Sequence, residues 1–354
     1  MLHPSALRSR VLGLFLVASL LPLAQGPSAA QGPSTAQGES AEEKPLRVTV
    51  TVPPLVWLIS EIAGPGVVVD SLVGEGEAPE TFQPTDRHIT GVARSALFFR
   101  LGVAAENGPW MEALESRGQP KVVDLRQGLS LLDMGAYKCH HNRDPGQESS
   151  HGHRHGGHEH GHHGHKHGHH GHEHAHGNEH EGLRGDVGKD PHIWLSPRRL
   201  TTMAVTIARH LGEVDPQRRK LYTERAVDVI ARLKALDAEI AVGLAPVRGG
   251  TFFVFHPAWG YFADDYGLRQ AAIEVDGQDP TEAELTQLIK RARELGARTL
   301  FVQPQVRATP AEAVARALGA DVETLDPLAT DLPDNLRRVS LRLKEALRPV
   351  DPQP

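Results

Sequence analysis

The sequence predicts an α/β protein of two similar lobes joined by one long helix. Three observations predict it. Short β-branched or apolar runs alternate with amphipathic helical stretches, the same alternation restarts past the middle of the chain, and a long helical pattern lies between the two series. Alternating strands and helices build a mostly parallel sheet with helices on its faces.

In the first series, LRVTVTV (46–52), VVVDSLV (67–73), ALFFRLG (96–102) and KVVD (121–124) read as strands with turn residues between them. PLVWLISEIAG carries its apolar residues at helical spacing, and Ser196-Pro197 begins a further helix. The second series is TFFVFH (251–256), QAAIEV (270–275), TLFVQ (299–303) and DVETL (321–325). Thr281 and Glu284 form a capping box ahead of a helix that Gly296 closes, and Thr309-Pro310 starts another that ends at Gly319. Between the series, 216–244 reads as one helix with an apolar stripe of Ile230, Leu233, Ile240 and Leu244. The expected organisation is therefore two Rossmann-like lobes, 46–212 and 250–348, joined by a rigid helix. Such lobes leave a cleft in which ligands bind.

The start of the chain is different. Arg8 and Arg10 precede the apolar run VLGLFLVASLLPLA, and small residues follow around Ser28-Ala29-Ala30. That is the layout of a secretory signal over 1–30, with a flexible polar leader over 31–45. The expectation is an exported, periplasmic protein. Loss of Arg8 and Arg10 takes the formal net charge from -6 to -8, which argues against nucleic acid as a partner. Cys139 is the single cysteine, so no internal disulfide staples the fold.

Histidine is the unusual feature. The chain has 22, of which 17 fall within 140–180. Of the rest, His3 belongs to the signal, His88 follows a turn and reads as exposed, and His210 reads as a protonated structural residue late in a helix. His192 in DPHIWLSP and His256 at the end of FFVFH stand at strand or loop termini, one in each lobe. Each alone reads more readily as a buried structural histidine than as a ligand. Their matching settings at the edges of one cleft raise shared ligation, and spacing alone leaves it open.

Four segments in one order carry a resemblance. SLVGEGEAPETFQPT, DPHIWLSP, HPAWGYFADDYGL and LDPLAT (325–330) resemble segments of the extracytoplasmic metal-binding proteins that serve ABC importers of zinc and manganese, over about 46–346. The resemblance implies two lobes joined by a long helix, with one metal in the cleft. It implies His192, His256 and Asp326 as ligands. At the first ligand position, where that family usually has histidine, this chain has Glu80. A Glu oxygen also binds Zn2+, but two imidazoles with two carboxylates equally suit Mn2+ or Fe2+. If Glu80 is a bystander, then water, Glu77 or a histidine of the insertion completes the shell.

The insertion 140–181 resembles the His-rich loop of the family's zinc members. Its core holds His151, His153, His155, His158, His160, His162, His163, His165, His167, His169, His170, His172, His174 and His176. Two stretches, His158 to His162 and His172 to His176, match H-E-x-x-H, a protease motif that works only on a helix. Glycines recur through this segment at about 1 kcal/mol each against helix, so no metalloprotease is expected. Too few apolar groups are present to build a core. Flexible imidazoles bind zinc more weakly than a preformed cleft, because ordering the chain costs entropy. The insertion thus reads as an accessory collector.

The reading is a non-enzymatic, monomeric protein that captures Zn2+ in the cleft and passes it to an ABC permease with its cytoplasmic ATPase. Import of Mn2+ or Fe2+, or a periplasmic zinc buffer without a permease, are the alternatives.

Overall fold

The computed structural model describes residues 45–134, 188–274, 282–305 and 308–348. The signal, the leader, Cys139, the whole His-rich segment and Thr281 of the capping box lie outside the described residues.

The first sheet contains β1 (Leu46–Val50), β2 (Val67–Ser71), β3 (Leu97–Arg100) and β4 (Lys121–Asp124), in the order β2-β1-β3-β4. The second contains β5 (Thr251–Val254), β6 (Arg269–Ala272), β7 (Thr299–Val302) and β8 (Asp321–Thr324), in the order β6-β5-β7-β8. Every strand pair in both sheets is parallel. The two lobes thus share one topology, and each has its switch point beside its first strand, β1 or β5. At such points crossovers diverge to opposite faces and leave room for a ligand beyond the carboxyl ends of the strands.

Helices α1 (Pro54–Ala63), α2 (Asp86–Ala93) and α3 (Pro109–Arg117) flank the first sheet. After 188 the chain makes a short 3-10 turn, Ile193–Leu195, and enters α4 (Pro197–Val214). Ser196 caps that helix by accepting from the Arg199 N–H, with Pro197 at its first position, as the sequence predicts. The long helix α5 runs Arg219–Leu244, and the 216–218 stretch assigned to it is a separate 3-10 turn, because Pro216 and the Asp215 cap hold that turn tighter. In the second lobe follow α6 (Gly260–Tyr266), α7 (Glu282–Glu294), α8 (Ala308–Leu318) and α9 (Leu332–Ala346). Gly296 and Gly319 lie just past α7 and α8 with φ of 66° and 69°, a left-handed conformation that favours glycine.

The linker is part of the core. Tyr222, Ala226, Val229, Leu233, Leu236, Ile240 and Leu244 of α5 are buried, at alternating spacings of three and four residues that keep one stripe inward. Ile230, assigned to the stripe from sequence, is half-buried at its edge. This stripe belongs to one apolar cluster that runs from Val48 and Phe98 of the first sheet to Trp259, Phe262 and Leu336 of the second lobe. A smaller cluster, around Phe253, Leu300 and Val314, fills the outer part of the second lobe. Each fully buried aliphatic residue contributes about 1.5–3 kcal/mol, so the helix is held along most of its length.

Candidate metal centre

Each candidate ligand sits where a secondary-structure element ends. Glu80 lies in the long loop after β2, His192 just before the turn that leads to α4, His256 two residues after β5, and Asp326 two residues after β8.

The Glu80 loop is built on the first switch point. Leu72 and Val73 continue to bond Val50 and Thr51 beyond the end of β2. The Glu77 carboxylate accepts from the Gly74 N–H at 2.9 Å, so Glu77 closes a turn of its own loop. Thr81 and Phe82 both donate to the Ala78 carbonyl, which turns the chain and presents Glu80. From below, the Ala105 N–H donates to the Pro79 carbonyl at 3.0 Å. Its neighbour Glu106 is buried and accepts from the Leu101 and Gly102 N–H groups at 2.7 Å and from the Thr51 hydroxyl at 2.5 Å. Burial pushes the Glu106 carboxyl up, against the pull of Arg100 and these donors. Glu106 thereby ties the ends of β1 and β3 together, beside the Ala105 bond that supports the Glu80 loop.

Three ligand atoms meet. His192 Nε2 and His256 Nε2 are each 3.3 Å from Glu80 Oε1, and the two nitrogens are 3.4 Å apart. In a tetrahedron the edge is about 1.6 times the bond length, so metal bonds of about 2.0–2.1 Å place ligand atoms about 3.3–3.4 Å apart. The triangle therefore has the dimensions of one face of a zinc tetrahedron. Among the described residues, Glu80, His192 and His256 are the group able to hold a metal ion.

The histidines are oriented from behind. His192 Nδ1 lies 2.7 Å from Asp190 Oδ1, which also accepts the His192 backbone N–H at 2.9 Å. His256 Nδ1 lies 2.9 Å from Glu274 Oε2. With Nδ1–H donating to a carboxylate, the neutral imidazole turns the Nε2 lone pair to the centre, as a metal ligand requires.

Three carboxylates around two buried imidazoles make the site strongly negative. Burial would lower the His192 pKa, but the charge and hydrogen bond of Asp190, followed by Glu80, push it up to about 9. His256 is raised too, burial being outweighed by hydrogen bonds to Glu274 and Glu80. Burial alone would raise Glu80, yet the two histidines hold it far below the usual carboxylate range. The potential that favours a proton here favours a divalent cation in the same place.

Asp326 is not brought among these three atoms. Its Oδ1 accepts from Gln305 Nε2 at 2.8 Å and from the Leu328 N–H at 2.9 Å. Its segment does lie beside that of His192, since the Trp194 indole N–H donates to the Pro327 carbonyl at 2.8 Å across the cleft. Sequence reasoning missed Asp190 and Glu274. Asp190 was recognised only as part of the DPH segment, although an Asp two residues before a histidine is well placed to fold back on its backbone. Glu274 was read as a strand residue, and its signal was an acid ending the strand beside that of His256.

The other two histidines differ from expectation. His88 is half-buried and accepts the Thr85 N–H through Nδ1 at 3.2 Å, closing the capping box of α2. His210 bridges Arg209 and Glu213, with a pKa lowered by burial, so it is a neutral structural residue instead of a protonated one.

A two-lobed α/β fold with a rigid helix between the lobes, and a His–His–carboxylate triangle in the cleft, defines the class of cleft-type metal-binding proteins. The chain belongs to the family described as zinc-uptake complex component A, periplasmic, whose model matches residues 48–345. It is similar to the zinc-binding protein AdcA of Streptococcus pyogenes, 26% identical over 290 residues, covering 81% of this chain and 51% of the relative. It is also similar to the high-affinity zinc uptake system protein ZnuA of Brucella abortus, 33% identical over 167 residues, 45% of this chain and 50% of that one. The chain thus spans about half the length of these two relatives. Among solved structures, a ZnuA crystal structure is 31% identical with a TM-score of 0.68, covering 86% of this chain and 100% of that one. A ZnuA deletion mutant with zinc bound is 32% identical with a TM-score of 0.67, covering 88% and 100%.

Proposed function

We propose that this chain is the extracytoplasmic component of a zinc ABC importer, which captures Zn2+ in the cleft and delivers it to a membrane permease driven by a cytoplasmic ATPase. The observation that carries this reading is the triangle of Glu80 Oε1, His192 Nε2 and His256 Nε2, with its zinc-like edges of 3.3–3.4 Å. Membership of the zinc-uptake family and the zinc named for its relatives support it. Asp326 supplies the fourth ligand, by exchanging its Gln305 hydrogen bond for the metal. No bond in a substrate is made or broken, so the protein is not an enzyme. Among the described residues no helix is long and apolar enough to cross a membrane, which accords with an exported protein that meets its permease at a surface. The His-rich segment serves as a collector of weaker sites that raises the local zinc concentration.

The oxygen ligand at Glu80 favours a second reading, capture of Mn2+ or Fe2+. Titration of a chain lacking 140–181 with zinc and with manganese separates the two. One tight zinc equivalent is expected. Tight manganese with weak zinc would move the assignment to the harder ion, and loss of all tight binding would place an essential ligand in the deleted segment.

A further inference from the structure

The described residues on either side of 135–187 pair with each other. Asp133 and Lys189 form an antiparallel bridge, the Met134 N–H donates to the Gly188 carbonyl at 2.8 Å, and the Asp190 N–H donates to the Leu132 carbonyl at 2.8 Å. A Lys189–Asp133 ion pair of 2.6 Å lies on the outside of this neck. One side chain from the other lobe grips both of its rails. Tyr261, fully buried on α6 and five residues after His256, donates its phenol O–H to the Asp190 carbonyl at 2.6 Å and accepts the Leu132 N–H at 3.2 Å. The Arg199 guanidinium covers its ring at 4.3 Å and is itself held by Asp265 at 3.0 Å.

We infer that Tyr261 is a positioning residue for metal capture, which fixes His192 from the opposite lobe by locking the neck at Asp190. The path is short. The Tyr261 hydroxyl holds the main chain of Asp190, and the side chain of Asp190 accepts both the ring and the backbone N–H of His192. Without the hydroxyl, the tie from the opposite lobe to the Asp190 carbonyl and the Leu132 N–H is lost, while the bridge and the Lys189–Asp133 pair of the neck remain. His192 can then tilt out of the triangle. Glu274 and His256 lie on a separate branch, since their contact involves neither the neck nor Tyr261. The hydroxyl therefore acts on one half of the ligand set. This inference rests on the proposal that Glu80, His192 and His256 bind the metal.

The test uses the full chain with zinc alone, competed against a chromophoric chelator so tight that only the cleft site is read. Tyr261→Phe keeps the ring and its Arg199 contact. It is expected to raise the zinc dissociation constant about 10-fold, the lower end for partners that orient a ligand. It should also alter the visible Co2+ spectrum of the site. Double variants separate positioning from general loosening. Tyr261→Phe should add little to Asp190→Ala, which removes the acceptor of the same branch, but should multiply with Glu274→Ala, which removes that of the other. An unchanged dissociation constant and spectrum, or equal multiplication with both partners, would overturn the proposal. His192→Ala is the control for the underlying reading: if it leaves tight zinc binding intact, the metal assignment fails, and the positioning role with it. If His192→Ala abolishes binding while Tyr261→Phe does nothing, the positioning role alone fails.

Discussion

The Nε2 atoms of His192 and His256, from opposite lobes, face each other at 3.4 Å with Glu80 Oε1 at 3.3 Å from both. Two lone pairs and a carboxylate oxygen at such distances repel one another unless a proton or a cation lies between them. The fold holds them there through Asp190 and Glu274, which sit behind the two rings. Replacing His192 or His256 by Ala is expected to weaken zinc binding by more than about 100-fold, beyond the range seen when only an orienting partner is lost. Calorimetric titration of each variant in a chain lacking 140–181 checks this, and an affinity within a few-fold of the parent would remove the residue from the ligand set.

Glu80, as a proposed ligand, is expected to set the preference between metals. Its carboxylate gives the triangle one hard oxygen beside two imidazole nitrogens, and hard oxygen suits Mn2+ better than a third nitrogen does. Glu80→His is expected to raise the preference for zinc over manganese, chiefly by weakening manganese. Glu80→Gln keeps the shape but removes the charge, and should weaken both. Parallel titrations with the two ions give the ratio, and a ratio unmoved by Glu80→His would show that the oxygen does not touch the metal.

Much of the fold was legible in the sequence because most of its parallel strands are short β-branched or apolar runs set between turn residues. The strand ends were overestimated where the chain leaves the sheet to build the cleft. TFFVFH was read as one strand to His256, but β5 ends at Val254, and Pro257 then turns the chain so that His256 faces the centre. VVVDSLV likewise overran, since Leu72 and Val73 still bond Val50 and Thr51 at the end of β1 while the loop toward Glu80 has begun. The family resemblance picks out His192, His256 and Glu80 as candidate ligands, and the fold brings their side-chain atoms together. Asp190 and Glu274 were not foreseen as partners, because contact between an acid and a ring nitrogen depends on how strand ends and turns juxtapose them. No local periodicity encodes that.

Zinc capture at the proposed site is expected to release protons. Asp190 and Glu80 hold the His192 imidazole at a pKa of about 9, so at neutral pH a proton occupies the ring that zinc must ligate. The raised value means that the proton is present below about pH 9 and absent above it. Zinc affinity is therefore expected to rise with pH through neutrality, by about tenfold per pH unit for each proton displaced, and to level off above that value. Calorimetry in buffers of different ionisation enthalpy counts the protons directly. At least one per zinc is expected at pH 7, and a count near zero would mean that the metal-free ring is already neutral.

The last prediction concerns the helix between the lobes. Leu233 lies midway along α5, 1% exposed, in the apolar cluster that continues from the first sheet into the second lobe. Truncating it to Ala should cost about 2–5 kcal/mol, because the surrounding helices are held by other contacts and close only partly over the cavity. If the core is continuous in the energetic sense, both lobes lose that stability together. Thermal unfolding of Leu233→Ala, followed by tryptophan fluorescence and by far-ultraviolet circular dichroism, is then expected to show one transition at a lower midpoint by both probes. Two separated transitions would mean that the lobes fold independently and that α5 is a hinge. Capture would then proceed by lobe closure, and the triangle of Glu80, His192 and His256 would assemble only after the lobes had moved.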